Sequence, residues 1–178
     1  MHRHSIAALA VILLCAGCTP HSSRGPASAT AAGAADPCGS LRFDLVRGTL
    51  NGVPPTASMD EVKRRLPCFT GESEETSSMN FGGGVFFIRH DFYFYTGRNY
   101  IEVRARFPGT VTPDVLRRPI ADAQRLLGPH AKTLESRGSM LFRAPFGCVE
   151  ARLSRDGART VEEVAAYAML CEFVPDET

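Results

Sequence analysis

The sequence predicts an α+β fold, with two tandem helix-plus-antiparallel-β-meander repeats forming one domain over residues 37–178. Three observations carry this expectation. Each half opens with a short segment of helical periodicity that ends at Pro67 or at Gly128-Pro129. Stretches rich in Phe, Tyr and Val follow each helix and alternate with period two, as half-buried strands do. The halves, about 37–110 and 111–175, also match at a shift of 61 residues. Glu61-Val62-Lys63-Arg64-Arg65-Leu66 meets Asp122-Ala123-Gln124-Arg125-Leu126-Leu127, and Arg98, Glu102 and Val103 meet Arg159, Glu163 and Val164.

Residues 1–17 have the layout of a secretory signal peptide. Arg3 lies ahead of an apolar run of ten residues, Ile6 to Cys15, with small residues after it. That run is too short to cross a bilayer, which takes about 20 residues. The ending Ala16-Gly17-Cys18 resembles the lipobox of bacterial lipoproteins. The resemblance implies that Cys18 receives lipid and becomes the mature N-terminus. Thr19 in place of Asp implies sorting to the periplasmic side of the outer membrane. Residues 18–36 hold Ser, Ala, Gly, Thr and Pro and little that packs, so a disordered tether is expected.

Within the domain, Ser58 and Glu61 have capping-box spacing, and Met59, Val62 and Leu66 form an apolar stripe. Val85 to Tyr95 reads as one strand, Thr96-Gly97-Arg98-Asn99 as a turn, and Tyr100 to Phe107 as the returning strand. Pro119 suits a first helical position, with Ile120, Ala123 and Leu127 as the second stripe. Ser139 to Ala144 and Cys148 to Ser154 read as strands, followed by the turn signal Arg155-Asp156-Gly157. Thr160 to Phe173 carries both signals. Thr160 and Glu163 have capping-box spacing, yet Val161, Ala165, Tyr167, Met169, Cys171 and Phe173 alternate with only Glu163 breaking the set. The shift of 61 aligns this stretch with Tyr100 to Phe107, so strand is expected.

Four cysteines remain in the domain: Cys38, Cys68, Cys148 and Cys171. An oxidising compartment favours two disulfides over buried thiols, and three pairings exist. Cys38–Cys68 and Cys148–Cys171 are expected, since each bond then lies within one half.

The domain balances 18 Lys and Arg against 18 Asp and Glu, which gives no basic excess of the kind nucleic acid demands. No metal-ligand spacing and no nucleophile motif occurs, so no cofactor, metal or catalytic residue is expected. His90-Asp91 is the one acid–base-looking pair. Neighbours on a strand face opposite ways, so His90 is expected at the core edge. Gly82-Gly83-Gly84 lacks the Lys-Ser/Thr and the helix of a phosphate loop and reads as a turn.

Alternation assigns Phe86, Ile88, Phe92, Phe94, Ile101, Val103, Ala105 and Phe107 to the core. The opposite face receives Phe87, Arg89, Asp91, Tyr93 and Tyr95 from one strand. Tyr100, Glu102, Arg104 and Arg106 come from the other. Tyr and Arg are enriched where proteins dock, so Arg89, Tyr93, Tyr95, Tyr100, Arg104 and Arg106 form the candidate protein-binding surface. Two other readings stand beside it: cross-strand pairing on a solvated face, and a face covered by the C-terminal half.

The segments Val62 to Pro67 and Ala123 to Pro129, each followed by hairpins, are similar to the tandem domains of the β-lactamase inhibitory protein family. They also resemble the SmpA/OmlA-type lipoproteins of outer-membrane barrel assembly. Both resemblances imply the repeat fold. The expected function is that of a membrane-anchored periplasmic lipoprotein that binds another envelope protein in an assembly or scaffold. The alternative is an inhibitor or immunity protein against a periplasmic enzyme or toxin. A small-ligand carrier would show a large apolar pocket. A hydrolase working through Asp91, Glu102 or Glu150 would show clustered carboxylates with raised pKa.

Overall fold

The computed structural model describes residues 38–74 and 83–176. The leader, Cys18, the tether and Gly82 lie outside them. Residues Ala35–Thr178 make one compact unit. It contains both disulfides and both apolar clusters.

The chain begins with β1 (Arg42–Asp44) and β2 (Thr49–Leu50), an antiparallel pair. Helix α1 (Met59–Arg65) starts where the capping box places it, with the Glu61 amide donating to Ser58 Oγ at 3.3 Å. After α1 come β3 (Gly71–Ser73), β4 (Gly84–Phe87), β5 (Phe92–Tyr95) and β6 (Tyr100–Arg104). A short strand β7 (Thr110–Thr112) pairs in parallel with β1 and closes a three-stranded sheet. Helix α2 (Ile120–Leu127) then leads into β8 (His130–Leu134), β9 (Ser139–Ala144), β10 (Gly147–Leu153) and β11 (Val161–Tyr167). Pro119 caps α2 from outside its first turn and is not its first residue.

The large sheet runs β3-β4-β5-β6-β11-β10-β9-β8, with every pair antiparallel. The α+β class is therefore corrected. The structure is mainly β, and the described residues hold only two helices, of 7 and 8 residues. The chain does not form helix-plus-meander repeats. Its strands fuse at β6–β11 into one sheet, and β1–β7 joins distant segments in a second. The excess of strand comes from β1, β2, β3, β7 and β8. These are two to five residues long, too short for period two to stand out from loop sequence. Ladder hydrogen bonds to neighbouring strands recruit them, and one sequence cannot announce such pairing.

One face of the large sheet meets α1, α2 and the small sheet. Phe87, Phe92, Phe94, Ile101 and Val103 lie there with Val62, Ala123, Phe43, Leu50 and Phe107, all fully buried or nearly so. Phe87 and Phe92 stack at 4.1 Å, and Phe107 meets Phe92 edge-on at 5.9 Å. Each such ring contributes roughly 2–3 kcal/mol by leaving water.

Two further expectations are corrected. Val85 to Tyr95 is not one strand but the hairpin β4–β5, turned at a single 3₁₀ turn, Ile88–His90, with Asp91 left-handed at φ 57°. The turn shifts the alternation. Phe87 joins the core, Phe86 moves to the other face, and Ile88 is 58% exposed at the tip. Ala105 is only half-buried, beyond the end of β6. The expected strand Thr160 to Phe173 ends at Tyr167, and a 3₁₀ turn occupies Cys171–Phe173. The chain there folds over the second face of the sheet. Cys171 and Val174 cover Leu134, Leu141, Cys148 and Tyr167 in a separate apolar cluster. Disulfides join Cys38 to Cys68 and Cys148 to Cys171, as expected, with Cα atoms 6.3 and 5.0 Å apart.

Candidate functional site: the second face of the sheet

Strand register sorts the second face into rows. In the first row Tyr95 lies opposite Tyr100, and Tyr100 opposite Tyr167. Their rings stack at 4.4 and 4.6 Å. Phe86, opposite Tyr93, touches the row from its edge, 5.8 Å from Tyr95 and 6.2 Å from Tyr93. In the middle row are Tyr93, Glu102, Ala165 and Glu150. The last row is Arg104, Glu163 and Arg152, charges that alternate across three strands.

The carboxylates are buried and paired with half-buried guanidiniums. Arg104 Nε reaches Glu102 Oε1 at 2.5 Å and Glu163 Oε2 at 3.5 Å, while its guanidinium lies 4.3 Å over the Tyr93 ring. Arg152 donates to Glu163 Oε2 at 2.9 Å. Glu150 accepts from Ser139 Oγ at 2.6 Å, from the Tyr167 hydroxyl at 2.7 Å and from Arg137 at 3.3 Å. Burial outweighs the two guanidiniums at Glu163 and, with the Glu102 charge, pushes its carboxyl up to about 8. Burial raises Glu102 as well. It lifts the Tyr95 hydroxyl up to about 12 and those of Tyr100 and Tyr167 further still. Burial works against the Arg104 charge, yet Glu102 and Glu163 together hold its pKa above the ordinary arginine value.

Of the six residues expected on this surface, Tyr93, Tyr95, Tyr100 and Arg104 share the face. The three tyrosines are half-buried, and among the described residues the C-terminal segment covers the face from Tyr167 toward β8. Arg89 is exposed in the β4–β5 turn, off the face. Arg106 lies past the end of β6, where its amide donates to Asp91 Oδ2 at 2.9 Å. Asp91 itself is buried at that hairpin end. His90 is half-buried, and its Nδ1 has no hydrogen-bond partner among the described residues. Phe86, Tyr167, Glu163 and Arg152 were missed. Glu163 left a trace: it was the polar break in the alternating set that contains Tyr167, and the two do share a face.

A cavity of about 370 Å³ opens beside the last row, lined by Asp91, Arg104, Arg106, Arg152, Glu162 and Glu163. Comparison with known families, curated proteins and solved structures gives no match to this chain.

Proposed function

We propose that this chain is a lipid-anchored envelope protein, attached through Cys18 to the periplasmic side of the outer membrane, that binds another protein through its open sheet face. The observation that carries the reading is the continuous group Phe86, Tyr93, Tyr95 and Tyr100 beside Arg104. Rigid aromatic rings on a pleated sheet offer contact area at small entropic cost, and the arginine adds directed donors. Two disulfides agree with an oxidising compartment.

A photo-crosslinking side chain placed at position 93 or 95 in living cells tests this. One discrete protein adduct is expected from these positions and none from Arg47, on an exposed turn outside the face. The adduct's identity separates an envelope scaffold from an inhibitor or immunity role. Equal adducts at all positions, or none, would sink the reading. Cys18→Ser is expected to abolish palmitate incorporation.

A second reading rests on Glu163, a carboxyl with raised pKa in a cavity wall beside the buried Glu102. Such a group holds its proton near neutral pH and can act as a general acid in hydrolysis. Cell-wall hydrolysis by the wild type, lost in Glu163→Gln, would favour it. Absence of turnover across pH 5–9 would dismiss it.

A further inference from the structure

Away from the open face, two large apolar side chains stand out in water at one end of the sheet. Ile88 is 58% exposed in the β4–β5 turn, and Phe69 is 37% exposed just before β3. They flank the same threonine. Thr70 donates its amide to the Phe86 carbonyl at 2.8 Å, and its Oγ1 accepts from the Ile88 amide at 2.8 Å. Pro67 and Thr70 are exposed as well, and so is Arg89, whose guanidinium pairs with no carboxylate among the described residues. The turn is fixed from its other side by Asp91. Its carbonyl accepts from the Arg104 amide at 3.0 Å, and its Oδ2 from the Arg106 amide at 2.9 Å. Ile88 is therefore held outward. One exposed apolar residue is ordinary, but two apolar groups fixed about one threonine beside an unpaired arginine form a small amphipathic tip. The described chain also enters at this end. It begins at Cys38, which is bonded to Cys68, the residue before Phe69. The segment that leads from Cys18 thus joins the domain beside the tip.

We infer that Phe69, Ile88 and Arg89 form a membrane-contact tip that seats the domain on the phospholipid surface carrying its anchor. The inference takes the anchoring at Cys18 from the proposed function, and it uses no residue that the structure places on the protein-binding face. Apolar side chains enter the boundary between headgroups and acyl chains, while a guanidinium beside them stays among the phosphates. Residues 19–37 extend to at most about 70 Å, so the domain never leaves the neighbourhood of the bilayer. A tether of that reach holds the local concentration of the two roughly in the millimolar range, where a contact of two side chains and one charge suffices. The tip is rigid before it meets lipid, so little is lost in ordering it.

A photo-crosslinking side chain is placed at position 88, 69 or 170 of the full chain, in cells grown on radiolabelled phosphate. Leu170 serves as the control. It is 59% exposed but belongs to the C-terminal segment held on β8, at the far edge of the large sheet. Light-dependent phospholipid adducts, read as label on the chain, are expected at 88 and 69 and not at 170. With the crosslinker at 69, one aromatic in place of another, Ile88→Ser is expected to lower the lipid adduct several-fold, since burying one aliphatic side chain changes partitioning about tenfold. Arg89→Gln is expected to lower it up to about fivefold. Thermal midpoints should stay unchanged in both variants, because both positions are exposed. Palmitate incorporation is read on the same cells. A chain that carries palmitate but gives no excess label at 88 overturns the inference and leaves the anchor standing. A chain without palmitate that still gives label at 88 sinks the anchor and keeps the membrane contact. A protein adduct at 88 in place of lipid, equal label at all three positions, or a yield unaffected by Ile88→Ser overturns the inference.

Discussion

Replacing Cys148 and Cys171 together by alanine is expected to cost about 3 kcal/mol, and the loss should begin in one place. The bond spans 23 residues, for which loop closure in the unfolded chain accounts for roughly 3 kcal/mol. The segment 168–176 has few other anchors. Cys171 and Val174 are buried, Lys132 holds the Val174 carbonyl, and Arg143 pairs with Glu172 at the surface. Burying Val174 contributes about 2 kcal/mol, while ordering each residue of the segment costs about 1 kcal/mol. Without the covalent link the balance turns against the segment, and it should detach before the sheet unfolds. Guanidinium denaturation measures the global term, and amide hydrogen exchange reads the local one. The variant should lose protection over 168–176 and gain accessibility at Tyr167, while β4, β5 and β6 stay protected. A variant within about 0.5 kcal/mol of the parent, with the segment still protected, would refute the reasoning.

Glu163 gives stability a definite pH slope. Its folded pKa stands at about 8 against an ordinary 4.5, so the folded state holds a proton that the unfolded state has released. Stability should therefore fall as pH rises from about 4.5 to about 8 and then level off. Glu102, raised by the same burial, acts in the same sense. Thermal midpoints from pH 5 to 9 check this, and Glu163→Gln should flatten the slope; a midpoint that rises with pH contradicts the account. Gly147→Ala should cost at least about 3 kcal/mol. The residue sits at φ 152°, and a Cβ there would press on the Tyr167 carbonyl and on Met169, whose carbonyl lies 2.8 Å away. Chemical denaturation reads the loss, and a neutral result would mean that the β10–β11 edge yields. Asp91→Ala should cost about 2–3 kcal/mol, from the left-handed backbone and from the buried acceptor lost to the Arg106 amide. Asp91→Asn should cost clearly less in the same unfolding experiment, because asparagine tolerates that conformation.

Local chemistry made several elements legible. Ser58 and Glu61 start α1, Gly128 closes α2, and Ser139–Ala144, read as a strand, is β9 residue for residue. The β4–β5 turn was not legible, because Arg89-His90-Asp91 carries no glycine or proline. Aspartate enters the left-handed region without a sequence signal strong enough to separate it from a strand. A break of that size exchanges the faces of Phe86 and Phe87, which is why one core residue was placed on the binding face and one aromatic of that face in the core.

The sequence by itself determined the short helices and the shared face of Tyr93, Tyr95, Tyr100 and Arg104, since residues on one hairpin have a parity that turns alone fix; it left three cysteine pairings open, and the structure selected the pair within each half. The tertiary structure decided that the chain is mainly β, because short strands exist only when a neighbour completes their hydrogen bonds. It also decided the composition of the site. Tyr167, Glu163 and Arg152 reach Tyr100 and Arg104 through the β6–β11 and β10–β11 ladders, and the C-terminal segment covers one end of the face. Those contacts join residues some sixty positions apart. They follow from which edges meet when the core closes, a choice made by total burial and not by any local pattern.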